Sequence, residues 1–289
     1  MDNKFSKSWI NMRVEYDNYS RSNILCNYLN KNNLVSDMEL IDMCCGSGNF
    51  LIWLIKKDLS FNEYTLIDND INLLKSIRSN LKRNCSKNIK IKSNTNNMNL
   101  ILSRDNLNSR VSIKRSDCDK FSYKTKKFHV ISYSAVLDLM SKFSIIKALK
   151  KVNNLNIIYF SLCFDGTVKW TPTNTFDKYI LSFFNHHQRT DKGFGTALGS
   201  KSIDFVKRCA NKQDMQITIK NSPWIIDNKS YKDKTFMNRY LLDIKKALFH
   251  MEGIDRDILR TWYKDKKNDI DNKSIRLYVG HQDILISKK

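Results

Sequence analysis

The feature that most constrains this chain is a tight, glycine-bearing turn between an apolar run and a helical pattern. Met38-Glu39-Leu40-Ile41-Asp42-Met43 reads as a strand and Cys44-Cys45-Gly46-Ser47-Gly48 as the turn; Phe50, Leu51, Leu54 and Ile55 follow at helical spacing. A backbone that turns sharply and approaches a ligand closely favours glycine, which has no Cβ to clash. The same grammar repeats downstream. Glu63 to Ile67 is a strand ending at Asp68, and Ile71, Leu73, Leu74, Ile77 and Leu81 begin a helix. Ser112 to Arg115 is a short strand ending at Asp117, and Phe128 to Tyr133 is the next, with Ile145 to Leu149 in the helix after it. Asn156 to Ser161 is a fifth strand. Strand alternating with helix at this spacing predicts an α/β fold: a doubly wound, mostly parallel sheet with helices on both faces.

The two ends differ from this middle. Residues 7 to 31 carry an intermittent helical pattern (Trp9, Ile10, Val14, Ile24, Leu25, Tyr28, Leu29), which predicts an N-terminal helical cap. After the fifth strand a polar stretch, 163 to 200, leads to a helix near 201 to 211. Two alternating segments, Met215 to Ile219 and Arg276 to Gly280, flank helical sequence from about 235 to 265. Late strands separated by an insertion are consistent with an antiparallel edge added to a parallel sheet. No linker or internal repeat divides the chain, so residues 1–289 are expected to form one domain.

Composition removes several classes. No apolar run approaches the roughly 20 residues needed to span a bilayer. Met1 to Phe5 lacks the apolar core of a signal peptide. The seven cysteines include no CxxC pair, so they read as reduced thiols in a cytoplasmic protein, with no metal site. The formal charge of +21 raises the question of a nucleic-acid partner, since Lys and Arg neutralise phosphates. Here the basic residues are mostly Lys, accompanied by abundant Asn, as an AT-rich genome encodes by default. Short groups such as Lys124 to Lys127 and Lys264 to Lys267 are interrupted and lack an aromatic platform. A solvated basic surface is therefore the expectation ahead of a nucleic-acid footprint.

In open α/β sheets the ligand sits outside the carboxyl ends of the strands. Three such ends carry chemistry here: the turn from Asp42 to Gly48, Asp68, and Asp117-Cys118. Asp68 can hydrogen-bond both hydroxyls of a ribose, and Asp117-Cys118 can accept from an adenine amino group and offer a backbone N–H to its ring. The competing reading is a nicotinamide dinucleotide site, whose G-x-G-x-x-G fingerprint seats a pyrophosphate on the helix N-terminus. After Gly46-Ser47-Gly48 the chain runs Asn49-Phe50-Leu51, and bulky Leu51 obstructs the close helix–strand approach that the third small residue permits.

This constellation, spanning about 38 to 162, resembles the class I S-adenosylmethionine (SAM)-dependent methyltransferases. The resemblance implies a Rossmann-like, seven-stranded sheet with an antiparallel final strand, and SAM as cofactor. It implies that Asp42 contacts the methionine amino group, Gly46 and Gly48 line methionine and ribose, Asp68 binds the ribose and Asp117 the adenine. Cys44, Cys118 and Ser134 complete the expected cofactor-binding set; the first motif glycine of the family is Cys44 here. Residues 1–34 would then be the cap, 35–162 the SAM-binding core, and 163–289 the acceptor-pocket loop, late helices and edge strands.

For the acceptor, the family's adenine-N6 and glutamine-N5 enzymes use an Asp/Asn-Pro-Pro-aromatic loop after the fourth strand. Here Ser132 to Met140 contains no proline, and neither Pro172 nor Pro223 precedes a cysteine, as cytosine-C5 chemistry requires. The expectation is methyl transfer to a small molecule by in-line displacement. The alternatives are an RNA methyltransferase using the basic surface and a SAM-binding module without catalysis. The polar run from Asn185 to Lys192 is expected to face the acceptor, with His186 or His187 as the base and Arg189, Lys192 and Arg13 clamping an anionic group; Arg13 can instead hold the carboxylate of SAM. Tyr16, Asp138, Asn185, Gln188, Trp224 and His281 complete the acceptor-side candidates. The wider pattern, from Trp9, Arg13 and Arg21 through Phe164-Asp165-Gly166 to Val279-Gly280-His281-Gln282-Asp283, resembles bacterial methyltransferase-domain proteins of unassigned acceptor.

Overall fold

The structure is a computed structural model that describes residues 7–32, 38–85, 89–94, 98–104, 107–123, 128–191 and 193–289. Its strands are β1 (Met38–Met43), β2 (Glu63–Asp68), β3 (Lys90–Ser93), β4 (Asn99–Arg104), β5 (Leu107–Arg115), β6 (Phe128–Ser134), β7 (Asn156–Thr171), β8 (Met215–Asn221), β9 (Trp224–Ile226) and β10 (Arg276–Lys288). Its helices are α1 (Lys7–Ser20), α2 (Ile24–Lys31), α3 (Asn49–Lys56), α4 (Ile71–Asn84), α5 (Lys142–Leu149), α6 (Asp177–His187), α7 (Ser202–Lys212), α8 (Tyr231–Leu248) and α9 (Arg256–Asp271).

The strands form one sheet in the order β3-β4-β5-β2-β1-β6-β7-β10-β8, with β9 also paired to β10. The pairs from β5 through β7 are parallel, as the alternating pattern predicts. Successive residues of the central strands face opposite layers. Leu40, Leu66 and Val130 pack with α3 and α4 on one side, and Ile41, Ile67 and Ile131 pack with α5 and α7 on the other. Helix α3 is buried from Asn49 to Ile55 because it is apolar all round and lies within that first layer.

Four expectations change. The antiparallel strand is not an edge: β10 lies between β7 and β8, antiparallel to both, and β8 is the edge. At the opposite edge, β3 and β4 add an antiparallel extension to β5 where the sequence shows no strong alternation, so the described sheet has ten strands. The fifth strand continues well past Ser161 to Thr171, and pairs over that length with β10. The single helical block near 235 to 265 is two helices, capped separately by Ser230 and Asp255.

The long β7 and β10 carry their outer halves beyond the parallel sheet into a third apolar cluster, built with α6, α8 and α9. The N-terminal cap is two helices that join these layers. Leu25 and Leu29 of α2 are buried against α3, while Trp9 of α1 stacks on Phe236 of α8 at 5.2 Å. Trp224 donates its indole N–H to Asp17 at 3.1 Å, fixing α1 over β9. None of the helices is long and apolar enough to cross a membrane among the described residues.

Candidate functional site

The carboxyl ends of β1, β2, β5 and β6 are level, because Met43 pairs with both Ile67 and Tyr133, and Asp68 pairs with Arg115. The loops leaving them therefore open onto one space. That space is a cavity of about 640 Å³, walled by Cys44 to Ser47, Asp68 to Leu73, Asp117-Cys118 and Ser134 to Val136. Ile10, Arg13, Asp17 and Arg21 roof it from the α1 side, and Gly193-Phe194 close it from the far loop.

The glycine turn is held by three kinds of bond. The Cys45 N–H donates to the Ile67 carbonyl at 2.9 Å, which ties the turn to β2. Asn80 of α4 donates its amide to the Ser47 carbonyl at 2.9 Å and to Asn49 Oδ1 at 2.8 Å. The Gly46 N–H donates to Asp68 Oδ2 at 2.8 Å, and the Asp70 N–H to Asp68 Oδ1 at 2.9 Å. Asp68 thus positions two cavity loops while keeping lone pairs for a ligand, since an ionised carboxylate accepts about four hydrogen bonds. Burial pushes its pKa up, and the two backbone donors oppose that shift.

Gly48 begins α3 with a φ of +79°, and a Cβ there would lie 3.3 Å from Ile77 Cγ2. Gly48→Ala is expected to cost about 1–2 kcal/mol through the left-handed backbone, read as a lower denaturant midpoint; an unchanged midpoint contradicts this packing. Cys44 also sits at positive φ, +57°, which accounts for the preference for glycine at this position in the family that the sequence resembles. Its Sγ contacts Cys118 Sγ at 2.6 Å, so the turn and the loop after β5 meet at the cavity wall.

Asp42 lies fully buried at the end of β1. Its Oδ1 accepts from Ser132 Oγ at 2.6 Å, and its Oδ2 has no hydrogen-bond partner in the protein. Burial pushes its pKa up to about 7, against the Ser132 bond and the positive charge of Arg21. A buried acceptor without a protein donor is costly, and a donor from a water or from a ligand amino group reaching behind the turn would relieve it, which is compatible with the amino group of SAM. Gly46 fits as well: a Cβ built there meets no atom within 4 Å, so the backbone borders open space.

The cofactor-side expectations therefore converge. Cys44, Gly46, Asp68, Asp117, Cys118 and Ser134 all line the cavity, with Asp42 behind the turn and Gly48 at the start of α3. The acceptor-side candidates do not. Arg13 reaches the wall, where its Nε pairs with Asp17 at 2.8 Å. Lys192 lies outside the described residues. His186 and His187 end α6, Gln188 and Arg189 follow it, and all four are absent from the cavity wall; the Asn185 amide donates to the Gly166 carbonyl at 2.9 Å. The reason is the length of β7, which carries α6 into the outer lobe; the chain returns to the cavity at Gly193-Phe194. Tyr16 donates to Asp233, and Asp138, pushed up to about 6 by burial, sits in the turn after β6 without lining the cavity. His281 is buried in β10 against Trp224, ring centroids 4.6 Å apart, and burial pushes its pKa down to about 3, which leaves it neutral. Trp224 is spent on Asp17.

The roof was missed in turn, apart from Arg13. Ile10, Arg13, Asp17 and Arg21 recur at intervals of three and four residues, which puts them on one helical face; that periodicity was the available signal. No group of three or more His, Cys, Asp or Glu side chains able to hold a metal occurs among the described residues.

No protein-family model matches the sequence, and no curated protein matches it. Among solved structures, the chain is similar to the YcgJ protein of Bacillus subtilis, with a TM-score of 0.51 and 11% identity, covering 92% of this chain and 98% of that one. It is also similar to a SAM-dependent methyltransferase of Thiobacillus denitrificans in complex with S-adenosyl-L-homocysteine (TM-score 0.47, 10% identity, 99% and 100% covered). A third similar structure is the cyclopropane synthase MmaA2 of Mycobacterium tuberculosis (TM-score 0.47, 10% identity, 99% and 95% covered). At 11% identity the likeness to the YcgJ protein shows the fold alone: a parallel β5-β2-β1-β6-β7 core with β10 inserted antiparallel before β8.

Proposed function

We propose that the chain is a SAM-dependent methyltransferase acting on a small-molecule acceptor. The observation that carries this reading is the cavity at the strand ends, where the glycine turn, Asp68 and Asp117-Cys118 meet. Its volume of about 640 Å³ falls in the range of small-ligand sites, roughly 300–1,000 Å³. SAM, when bound, supplies an activated methyl group on its sulfonium. The protein's part is then to bind and orient: Asp68 for the ribose, Asp117 and Cys118 for the adenine, Asp42 for the amino group. In-line displacement draws much of its rate from such positioning.

The acceptor would pack against the apolar part of the lining, Ile10, Val136, Leu139 and Phe194. A lining of this size and makeup favours a compact acceptor over a nucleic-acid duplex. Incubating the protein with labelled SAM and cell extract, then separating small molecules, RNA and protein, tests the reading. Label in a small-molecule fraction is the expected result. Label in RNA would instead give the +21 charge a function.

The Asp42 carboxyl adds a pH dependence. Its folded pKa of about 7 lies above the ordinary carboxylate value, so the free protein holds the proton at mildly acid pH. That protonated state stabilises the fold at low pH, and the contribution is lost as pH rises through 7. A ligand ammonium binds the ionised form, so affinity for S-adenosylhomocysteine should rise by up to about tenfold per pH unit from pH 5 to 7 and then level off. Calorimetry across this range checks it. A flat profile contradicts an Asp42–ammonium contact.

A further inference from the structure

Cys44 and Cys118 are far apart in sequence, yet their sulfurs meet. Cys44 belongs to the turn after β1 and Cys118 to the loop after β5, and their Sγ atoms lie 2.6 Å apart as free thiols. Both side chains line the strand-end cavity, so a molecule small enough to enter that space reaches the pair. The third cysteine of this wall is turned aside, because Cys45 Sγ donates to the Gly46 carbonyl at 3.7 Å. The other four, Cys26, Cys85, Cys163 and Cys209, are absent from the wall.

The two sulfurs are not equivalent. The hydrogen bond to Cys118, and then burial, push the Cys44 thiol up, so Cys44 keeps its proton and donates it to Cys118. That leaves Cys118 as the accepting sulfur, and the half-buried Lys151 places a positive charge within reach of both. An accepting sulfur beside a cation is the nucleophile of a thiol pair, and a second thiol in contact with it is placed to resolve the oxidised product.

We propose that Cys44 and Cys118 form a reversible disulfide in response to a hydroperoxide, which clasps the glycine turn to the loop after β5 in the cavity wall. Cys118 attacks the peroxide oxygen, the O–O bond breaks, and the leaving hydroxide takes the thiol proton away as water. A sulfenic acid remains on Cys118. The Cys44 sulfur then attacks it; the S–S bond forms, the S–O bond breaks, and a second water carries off the Cys44 proton. The two thiols lose two electrons and the peroxide gains them. A dithiol reductant reopens the bond by exchange. The inference stands on the two sulfurs and does not depend on which ligand the cavity takes, but a ligand that fills the cavity covers the pair.

The test treats the reduced full chain with stoichiometric hydrogen peroxide and counts free thiols after denaturation. Two of the seven should be lost and then recovered with dithiothreitol, and peptide mapping should find one linked pair, Cys44 with Cys118. A cross-link spanning 74 positions should also raise the melting temperature by about 5–10 °C. Cys44→Ser should stop at a sulfenic acid on Cys118, trapped as a dimedone adduct, while Cys118→Ser should give no adduct on Cys44. S-adenosylhomocysteine at about ten times its dissociation constant should slow the oxidation roughly tenfold, since only the empty cavity admits peroxide. Seven intact thiols, a linked pair that omits Cys44 or Cys118, or an unchanged rate with ligand bound overturns the proposal. Where a variant does not fold, or S-adenosylhomocysteine does not bind, the thiol count and mapping of the parent decide it; the second of these outcomes defeats the SAM reading alone.

Discussion

Asp68→Ala is expected to reduce affinity for S-adenosylhomocysteine by about 10- to 150-fold, corresponding to roughly 1.5–3 kcal/mol for hydrogen bonds to a charged group. The loss has two sources in the structure. The carboxylate presents acceptors to the cavity, and it also holds the N–H groups of Gly46 and Asp70 that shape two of the cavity's loops. Asp68→Asn separates them, since an amide keeps an acceptor oxygen but loses the charge. Its affinity should fall between parent and alanine. Calorimetry paired with a thermal melt checks both variants, and a folded Asp68→Ala protein with unchanged affinity would contradict the site.

Asp283→Ala should have the largest effect on stability, about 3–5 kcal/mol, the scale on which a buried charged network fails when one member is removed. Asp283 is fully buried in β10 and accepts five hydrogen bonds. Its Oδ1 takes the Leu162 N–H and the Ser222 hydroxyl, and its Oδ2 takes the Ser22 N–H and hydroxyl and the Tyr159 hydroxyl. Those donors come from the α1–α2 junction, β7 and the segment after β8, so one carboxylate joins the cap to the chain on either side of β10. Denaturant unfolding measures the cost. A loss under about 1 kcal/mol, the size of an ordinary surface substitution, would contradict this role.

What the sequence disclosed follows from where information is local. Four of the five parallel strands, β1, β2, β6 and β7, were legible because each contains an apolar run that leads toward a helix; β5 was read only over Ser112 to Arg115, before Asp117. The meeting of the strand-end loops was legible for the same reason: Asp42, Gly46, Asp68 and Asp117 each stand at or just past a strand end, and parallel pairing aligns those ends. β3 and β4 were illegible because Lys90-Ile91-Lys92-Ser93 is short and polar, and the apolar part of β4 is only the three residues Leu100-Ile101-Leu102. The described residues of the Asn185 to Lys192 run do not line the strand-end cavity; proximity in sequence to the fifth strand stood in for proximity in space. The stretch after Ser161 continues as strand through Phe164 and Trp170, whose side chains pack in the outer lobe, and so draws His186 to Arg189 away from the cavity. Arg21 was quoted only within a wider resemblance, because its partners Ser134 and Ser161 are more than a hundred residues away.

The central claim is that the strand-end cavity binds SAM and its product rather than a dinucleotide. Titration of the parent protein with S-adenosylhomocysteine, and separately with NAD, followed by isothermal calorimetry, tests it most directly. The account predicts saturable binding of S-adenosylhomocysteine with one ligand per chain and much weaker or no binding of NAD. Absence of heat with S-adenosylhomocysteine, or tighter binding of NAD, would contradict it.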